Sequence, residues 1–413
     1  MSAAFGHSPK RVLFLTPQLP YPPEQGTALR NYNLIAQVAR SHTVGLLSFT
    51  QRLPSSAELE HLQGFCDLIM TVPAPARTLL DRLKTLVCSR EPDLAWRLRS
   101  SAFAEALVAL VIEWQPDVVQ VEGIELGRYA SLMRTHFGQR PAIVFDDHNA
   151  EYLLQRRAAR TDLRQPHRWG KAVYSLVQAR RLRRFEAQRC RQADAVLAVS
   201  PDDAEAIAAI APDVDVRVIP NGVDTGRYRP GLADTLPLRH PAVVFTGKMD
   251  FRPNIDAVVW FVERVWPQVH AIQPDAMFYI VGKAPTGAVR ALSGHSGVCV
   301  TGYVEDILPY FGGADLYVVP LRVGGGTRLK VLEAMAAGLP LVSTTLGAEG
   351  IGARNGRDLL LADDPVAFAE AVLRLLADRR QAVELGRAAR AFVERHYDWS
   401  AITPPLSELL AAL

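Results

Sequence analysis

Short runs of unbroken apolar residues, each followed by a stretch of helical periodicity, recur along nearly the whole chain. In the first half they fall at 12–16, 44–49, 68–72, 118–121, 142–145 and 195–199, with helical patterns at 27–40, 55–65 and 101–114 between them. A second series lies at 242–246, 277–281, 298–304, 316–320, 341–344 and 359–361. Its helices are predicted over 254–270, 305–312, 327–337, 364–378 and 380–396. Strands that are apolar on both faces belong in a parallel sheet covered by helices on both sides. Because the series occurs twice, the expected fold class is α/β, with two doubly wound, Rossmann-like domains facing each other across a cleft. Such sheets bind ligands at the carboxyl ends of their strands. The domains are expected at 1–220 and 221–396, joined through the Gly-, Pro- and charge-rich segment 221–241, with a helix in 397–413 packing back on the first domain.

Composition excludes several classes. Hydrophobic residues make up 49% of the 413 residues and charged residues 22%, the balance of a folded globular protein. A net charge of +3 is too small to imply nucleic acid as a partner. Cys66, Cys88, Cys190 and Cys299 are far apart and form no Cys-x-x-Cys pair, which points to a reducing compartment and no structural metal. The opening MSAAFGHSPKRVLFLTPQLPYPP carries an apolar run too short for a signal peptide and reads as a first strand. No stretch reaches the roughly 18 apolar residues of a membrane span. A cytoplasmic location is expected.

Three stretches carry candidate chemistry. In RVGGGTRLKVLEAMAAGLPLVST (322–344), three glycines follow an apolar strand and open a helix. Glycines there let backbone N–H groups approach an anion, and Arg328 and Lys330 add cations suited to a diphosphate. Lys330, in the first helical turn, is the residue placed to neutralise a departing phosphate. Glu333 falls on the stripe formed by Leu329, Leu332 and Ala336, where a carboxylate needs a partner. That partner is either Lys330 or Arg328, or the hydroxyls of a ribose. In VFDDHNAEY, His148 follows a strand, either as a loop histidine bonded to Asp146 or Asp147, or as a site residue with Asp147, Asn149 and Glu151 around it. The run ARRLRRFEAQRCRQ (179–192) is the most basic part of the chain, with Leu182 and Phe185 on its apolar side. It reads as a solvated helix, or as a dock for an anionic membrane at the inner face of the plasma membrane.

Several of these segments, in order, resemble retaining glycosyltransferases of family 4 (glycosyl transferases group 1), which have the GT-B fold. The segment 324–344, with EAMAAGLP inside it, resembles their donor-binding motif. PPEQGTALRNYNLIAQVA resembles the first loop and helix, and ADAVLAVSPDDAEAI and VIPNGVD the strand and linker signatures. FTGKMDFRPNIDAVVWF, YIVGKAP and VTGYVEDILPYFGGADLYVVPL resemble the nucleotide domain. The resemblance implies an acceptor-binding domain over 1–220 and a nucleotide-sugar domain over 221–396. Glu333 matches the second glutamate of the E-x7-E motif, the ribose ligand, while the first falls at Gly325. The phosphate-binding arginine appears as Lys248 and the lysine six residues on as Asn254, leaving Arg252, Arg328 and Lys330 as replacements. Gly26 matches the glycine that approaches the donor phosphate, Gly325 and Gly326 lie in the phosphate loop, and His148 matches the active-site histidine.

The resemblance also implies a nucleoside-diphosphate sugar donor, a carbohydrate or lipid-linked acceptor, surface polysaccharide or glycolipid assembly in bacteria, no metal and no cofactor. A nucleotide-sugar epimerase and a non-catalytic nucleotide-sugar-binding subunit are the competing readings. The first lacks a recognisable carboxylate pair, and the second is favoured by the glutamate missing at Gly325.

Overall fold

A computed structural model describes residues 8–23, 26–163, 169–231, 235–324 and 328–413. The chain forms two compact units, one of 1–220 with 402–413, the other of 221–401. Unit 1 holds a parallel sheet of β1 (Arg11–Thr16), β2 (Thr43–Thr50), β3 (Leu68–Pro73), β4 (Val118–Glu122), β5 (Ala142–Asp147), β6 (Ala195–Ala198) and β7 (Val216–Val218). Their order is β3-β2-β1-β4-β5-β6-β7. The apolar runs become strands because both faces are covered: Val12, Leu13, Phe14 and Leu15 of β1 are fully buried. β7, with the sequence VRV, is short and partly exposed at the sheet edge, which is why it leaves no apolar run in the sequence.

Unit 2 repeats the plan with β8 (Ala242–Thr246), β9 (Met277–Val281), β10 (Val298–Gly302), β11 (Leu316–Val319), β12 (Leu341–Ser343) and β13 (Leu360–Leu361). The order is β10-β9-β8-β11-β12-β13. In each sheet the direction of winding reverses once, between β1 and β4 in unit 1 and between β8 and β11 in unit 2. Loops diverge at such a point and leave a crevice at the strand ends.

Helix boundaries follow local chemistry. Ser55 caps the Ser56–Gln63 helix and Glu58 reaches back to the Ser55 N–H, a capping box. Segment 221–241 is no free linker. The Val223 N–H donates to the Tyr397 carbonyl, and Tyr228 is buried in the core of unit 2. The helix Pro404–Ala412 belongs to unit 1, where Ser407 accepts from His42. The four cysteines are free. Among the described residues no helix is long and apolar enough to cross a membrane.

Candidate active site

Both clusters of candidate residues gather at the reversal points of the sheets. In unit 1 the helix Gly26–Val38 follows β1, Gly123 follows β4, and His148 follows β5. The β4–β5 register sets Glu122 opposite Asp146. His148 Nε2 lies 2.9 Å from Glu122 Oε2, so its partner is Glu122 rather than Asp146 or Asp147. Glu122 is fully buried and also accepts from Gln120 Nε2 at 2.7 Å. With its amide nitrogen turned to the carboxylate, Asn31 donates to Glu122 Oε2 at 2.9 Å. Gly123 has φ +88°, and a Cβ there would lie 3.1 Å from Glu125 and 3.6 Å from His148 Nδ1. A side chain at this position is therefore both strained and crowded.

Burial works against protonation of His148, but the Glu122 hydrogen bond and the Asp146 charge outweigh it and raise its pKa. Asp146 meets the Arg30 guanidinium in a buried pair, with Nε donating at 2.9 Å and Nη2 at 3.2 Å. Burial pushes Asp146 up to about 6, against the pull of Arg30. Burial, then the charge of the neighbouring Glu186 and a hydrogen bond shared with it, pushes the Asp147 carboxyl well up. Burial, then Glu125, raises Glu151 to about 7.

A cavity of about 530 Å³ opens beside these groups, lined by Gln18, Thr27, Arg97, Glu125, His148 and Glu151 among others. Its size suits a small molecule. Gly26 directly precedes Thr27 at the exposed start of its helix. Glu122, Asp146 and His148 offer ligand atoms within 4.8 Å of one another, enough for a metal ion. Arg30, however, already holds both oxygens of Asp146, so a cation here would face a buried positive charge.

In unit 2 the helix Leu329–Ala336 corrects the expected stripe. Val331, Leu332, Ala334, Met335 and Ala336 are buried, whereas Leu329, Lys330 and Glu333 share the half-open side. The helix packs against β12 and the helix Arg379–His396, so apolar contact takes most of its circumference and leaves only this strip. Glu333 does not pair with Lys330. It accepts from the Tyr228 hydroxyl at 3.2 Å, and burial raises its pKa against the pull of Tyr228 and Lys330.

Lys330 reaches the other way. Its Nζ donates to the Thr246 carbonyl at 2.9 Å and to Asn254 Oδ1 at 2.8 Å, 4.1 Å from the centre of the Phe245 ring. Burial pushes its pKa down to about 7. Asn254 also donates to the Lys248 carbonyl, which ties the ammonium to the turn after β8. A Cβ on Gly247 would lie 2.7 Å from Asn254 Nδ2 and 2.9 Å from Lys330 Nζ, so a side chain there would push these two polar ends aside.

The remaining cations divide by setting. Lys248 is exposed and 3.4 Å from Asp250, and Arg252 is exposed at the start of its helix. Arg328 is buried, donating to the carbonyls of Leu346 and Gly324 with Glu349 at 3.8 Å, so it braces the loop around it. Gly325 and Gly326 lie outside the described residues. Sequence reasoning passed over Glu122, Asn31 and Tyr228; Glu122 ends an apolar strand just before a glycine, the one local signal available.

In the run 179–192, Leu182 and Phe185 are buried, Arg189 stacks on Phe185 and Arg181 donates to the Leu86 carbonyl. The apolar side of this run therefore covers unit 1, as expected for a solvated helix on the domain.

Two family profiles match the chain: Glycosyltransferase Family 4 over residues 25–227, and Glycosyl transferases group 1 over 240–378. The chain is 28% identical over 173 residues to an uncharacterized 44.6 kDa protein in the cps region of Klebsiella pneumoniae, covering 40% of this chain and 45% of that one. It is 30% identical over 225 residues to a GDP-mannose-dependent alpha-(1-6)-phosphatidylinositol monomannoside mannosyltransferase of Mycobacterium tuberculosis, covering 49% and 57%. The chain thus spans about half the length of the curated relatives it matches.

Among solved structures, a sucrose-phosphate synthase of Thermosynechococcus elongatus aligns with a TM-score of 0.68 at 20% identity, over 97% of this chain and 98% of that one. An Anabaena protein solved with UDP and glucose aligns at 0.64 and 16% identity, over 98% and 100%. These likenesses show the fold, the GT-B architecture of two Rossmann-like units. Matched in both units by its profiles, the chain belongs to glycosyltransferase family 4, the glycosyl transferases of group 1.

Proposed function

We propose that the chain transfers a sugar from a nucleoside-diphosphate sugar to an acceptor hydroxyl, keeping the configuration at the anomeric carbon. The observation that carries this reading is the setting of Lys330, a half-buried ammonium with a lowered pKa against a glycine turn, beside Glu333 on the same open strip. A diphosphate on the Gly247 turn gains the Lys330 charge, and the Glu333 carboxylate accepts from ribose hydroxyls. Lys248 and Arg252, exposed at the same turn, add positive charge.

In the reaction the bond from the anomeric carbon to the phosphate oxygen breaks and a bond to the acceptor oxygen forms. The acceptor proton passes to the departing phosphate oxygen on the same face. Lys330 stabilises the negative charge that grows on that oxygen, which lowers the barrier rather than merely tightening binding. The unit 1 cavity takes the acceptor, with His148, steadied by Glu122, against its reacting hydroxyl. Cations replace a metal at the diphosphate, and no cofactor takes part. The relatives' names support surface polysaccharide or glycolipid assembly as the setting.

Incubating the protein with labelled UDP-, GDP-, ADP- and TDP-sugars and a set of glycan and lipid acceptors tests this. Released nucleoside diphosphate with a glycosylated product supports transfer. An epimerised donor, or binding without turnover, overturns it.

A further inference from the structure

The helix Trp169–Gln192 leaves apolar side chains in solvent: Trp169 and Val173 are each 58% exposed, Leu176 43% and Val177 38%. Spaced by four, three and one residues, they form one stripe on a helix of about 3.6 residues per turn. The same stripe continues through Arg180, Arg183 and Arg184, all exposed. The opposite face, with Ala172, Ala179 and Leu182, is buried against unit 1, so the stripe has no role in the core. Trp169 Nε1 donates to the Leu163 carbonyl at 3.2 Å, which brings the exposed Leu163 of the preceding helix to the apolar end.

A folded chain rarely leaves contiguous apolar side chains in water without a surface to cover them. Charge identifies that surface. The one acidic residue in 169–192, Glu186, is buried, while Arg156, Arg157 and Arg160 are exposed on the neighbouring helix Glu151–Leu163. A second copy of this face would meet like charge. An anionic lipid surface offers negative charge outside and an apolar layer beneath.

We propose that this stripe seats the chain on an anionic lipid surface, with Trp169, Val173, Leu176 and Val177 entering the headgroup layer and Arg180, Arg183 and Arg184 meeting lipid phosphates. The inference stands apart from the sugar chemistry, because lipid binding is read without donor or acceptor.

The test is co-sedimentation of the full chain with vesicles of phosphatidylcholine alone and of phosphatidylcholine with phosphatidylglycerol. Binding is expected only to the anionic vesicles and weakens with salt. Arg180→Gln, Arg183→Gln and Arg184→Gln should each lower it about fivefold at low salt. Trp169→Ser with Leu176→Ser should lower it about tenfold or more, from lost apolar burial. Every substituted residue is exposed, and circular dichroism checks that the variants fold. Absent binding, equal binding to both vesicle types, or binding unchanged by both sets of variants overturns the proposal. So does a dimer without lipid that Trp169→Ser with Leu176→Ser converts to monomer, since the stripe would then be a self-association face.

Discussion

The Lys330 ammonium lies 2.9 Å from the Thr246 carbonyl, so the helix after Gly324 and the turn after β8 share one cation. Two cation-bearing segments that lie far apart in the sequence thus meet in the fold. Lys330→Ala is therefore expected to lower turnover by about 10²–10³-fold, the cost of losing one charge stabiliser in the transition state. Steady-state kinetics on the folded variant measures this, and near-normal turnover would assign the leaving group to Lys248 or Arg252.

The same lysine gives a pH dependence. Its pKa falls from the ordinary 10.5 to about 7 in the folded chain. Between those values the unfolded chain binds more protons, so stability rises with pH across the window. Lys330→Met should lack this contribution. Thermal unfolding of both proteins from about pH 7 to 10 checks it; parallel curves would place the ammonium in water.

Glu333→Ala is expected to weaken donor binding by about 1.5–3 kcal/mol, the range for a hydrogen bond to a charged group. Tyr228→Phe, which removes only the neighbouring hydroxyl, should weaken it less. Calorimetry with the nucleoside diphosphate separates the two, and unchanged affinity in Glu333→Ala would limit that carboxylate to its bond with Tyr228.

In unit 1, Glu122 is expected to act through His148, which it holds at 2.9 Å. Glu122→Gln removes the charge that raises the His148 pKa, so the limb of the pH–rate profile belonging to His148 should move to lower pH. His148→Ala should lower turnover more than donor affinity. An effect on thermal stability alone would make both residues architectural. EDTA should leave activity intact, because Arg30 holds Asp146. Loss of activity restored by Mn²⁺ would instead make Glu122, Asp146 and His148 ligands.

Arg30 and Asp146 are 2% and 0% exposed, so Arg30→Ala strands a buried carboxylate. That should cost about 3–5 kcal/mol, read from the unfolding transition in urea. An unchanged transition would mean that Asp146 carries its proton.

The strands were legible because uniform burial writes uniform apolarity, as in VVFT before Gly247 or VLFLT at β1. Gly26, Lys330, Glu333 and His148 stood out as charge, glycine or imidazole in the segments that follow strands. What periodicity hides is which strand lies next to which. Glu122 meets His148 only because β4 pairs with β5, and Tyr228 reaches Glu333 from a segment whose composition reads as linker. The Glu333 stripe was misplaced because a helix covered on most sides has no single apolar face. The exposed apolar residues of the helix Trp169–Gln192 were passed over because its charge-rich half draws the eye, while they lie one to three turns earlier.

The central claim is that a nucleoside diphosphate sits against Lys330 at the Gly247 turn. A phosphate there would raise the lysine's lowered pKa, so binding must take up protons. Isothermal titration of UDP, GDP, ADP and TDP at about pH 7.5–8, in buffers of different ionisation enthalpy, reads this directly, at up to about one proton per ligand. The account requires one of these ligands to bind with proton uptake that disappears in Lys330→Met. No binding, or binding whose proton uptake is absent or unchanged in that variant, would contradict it.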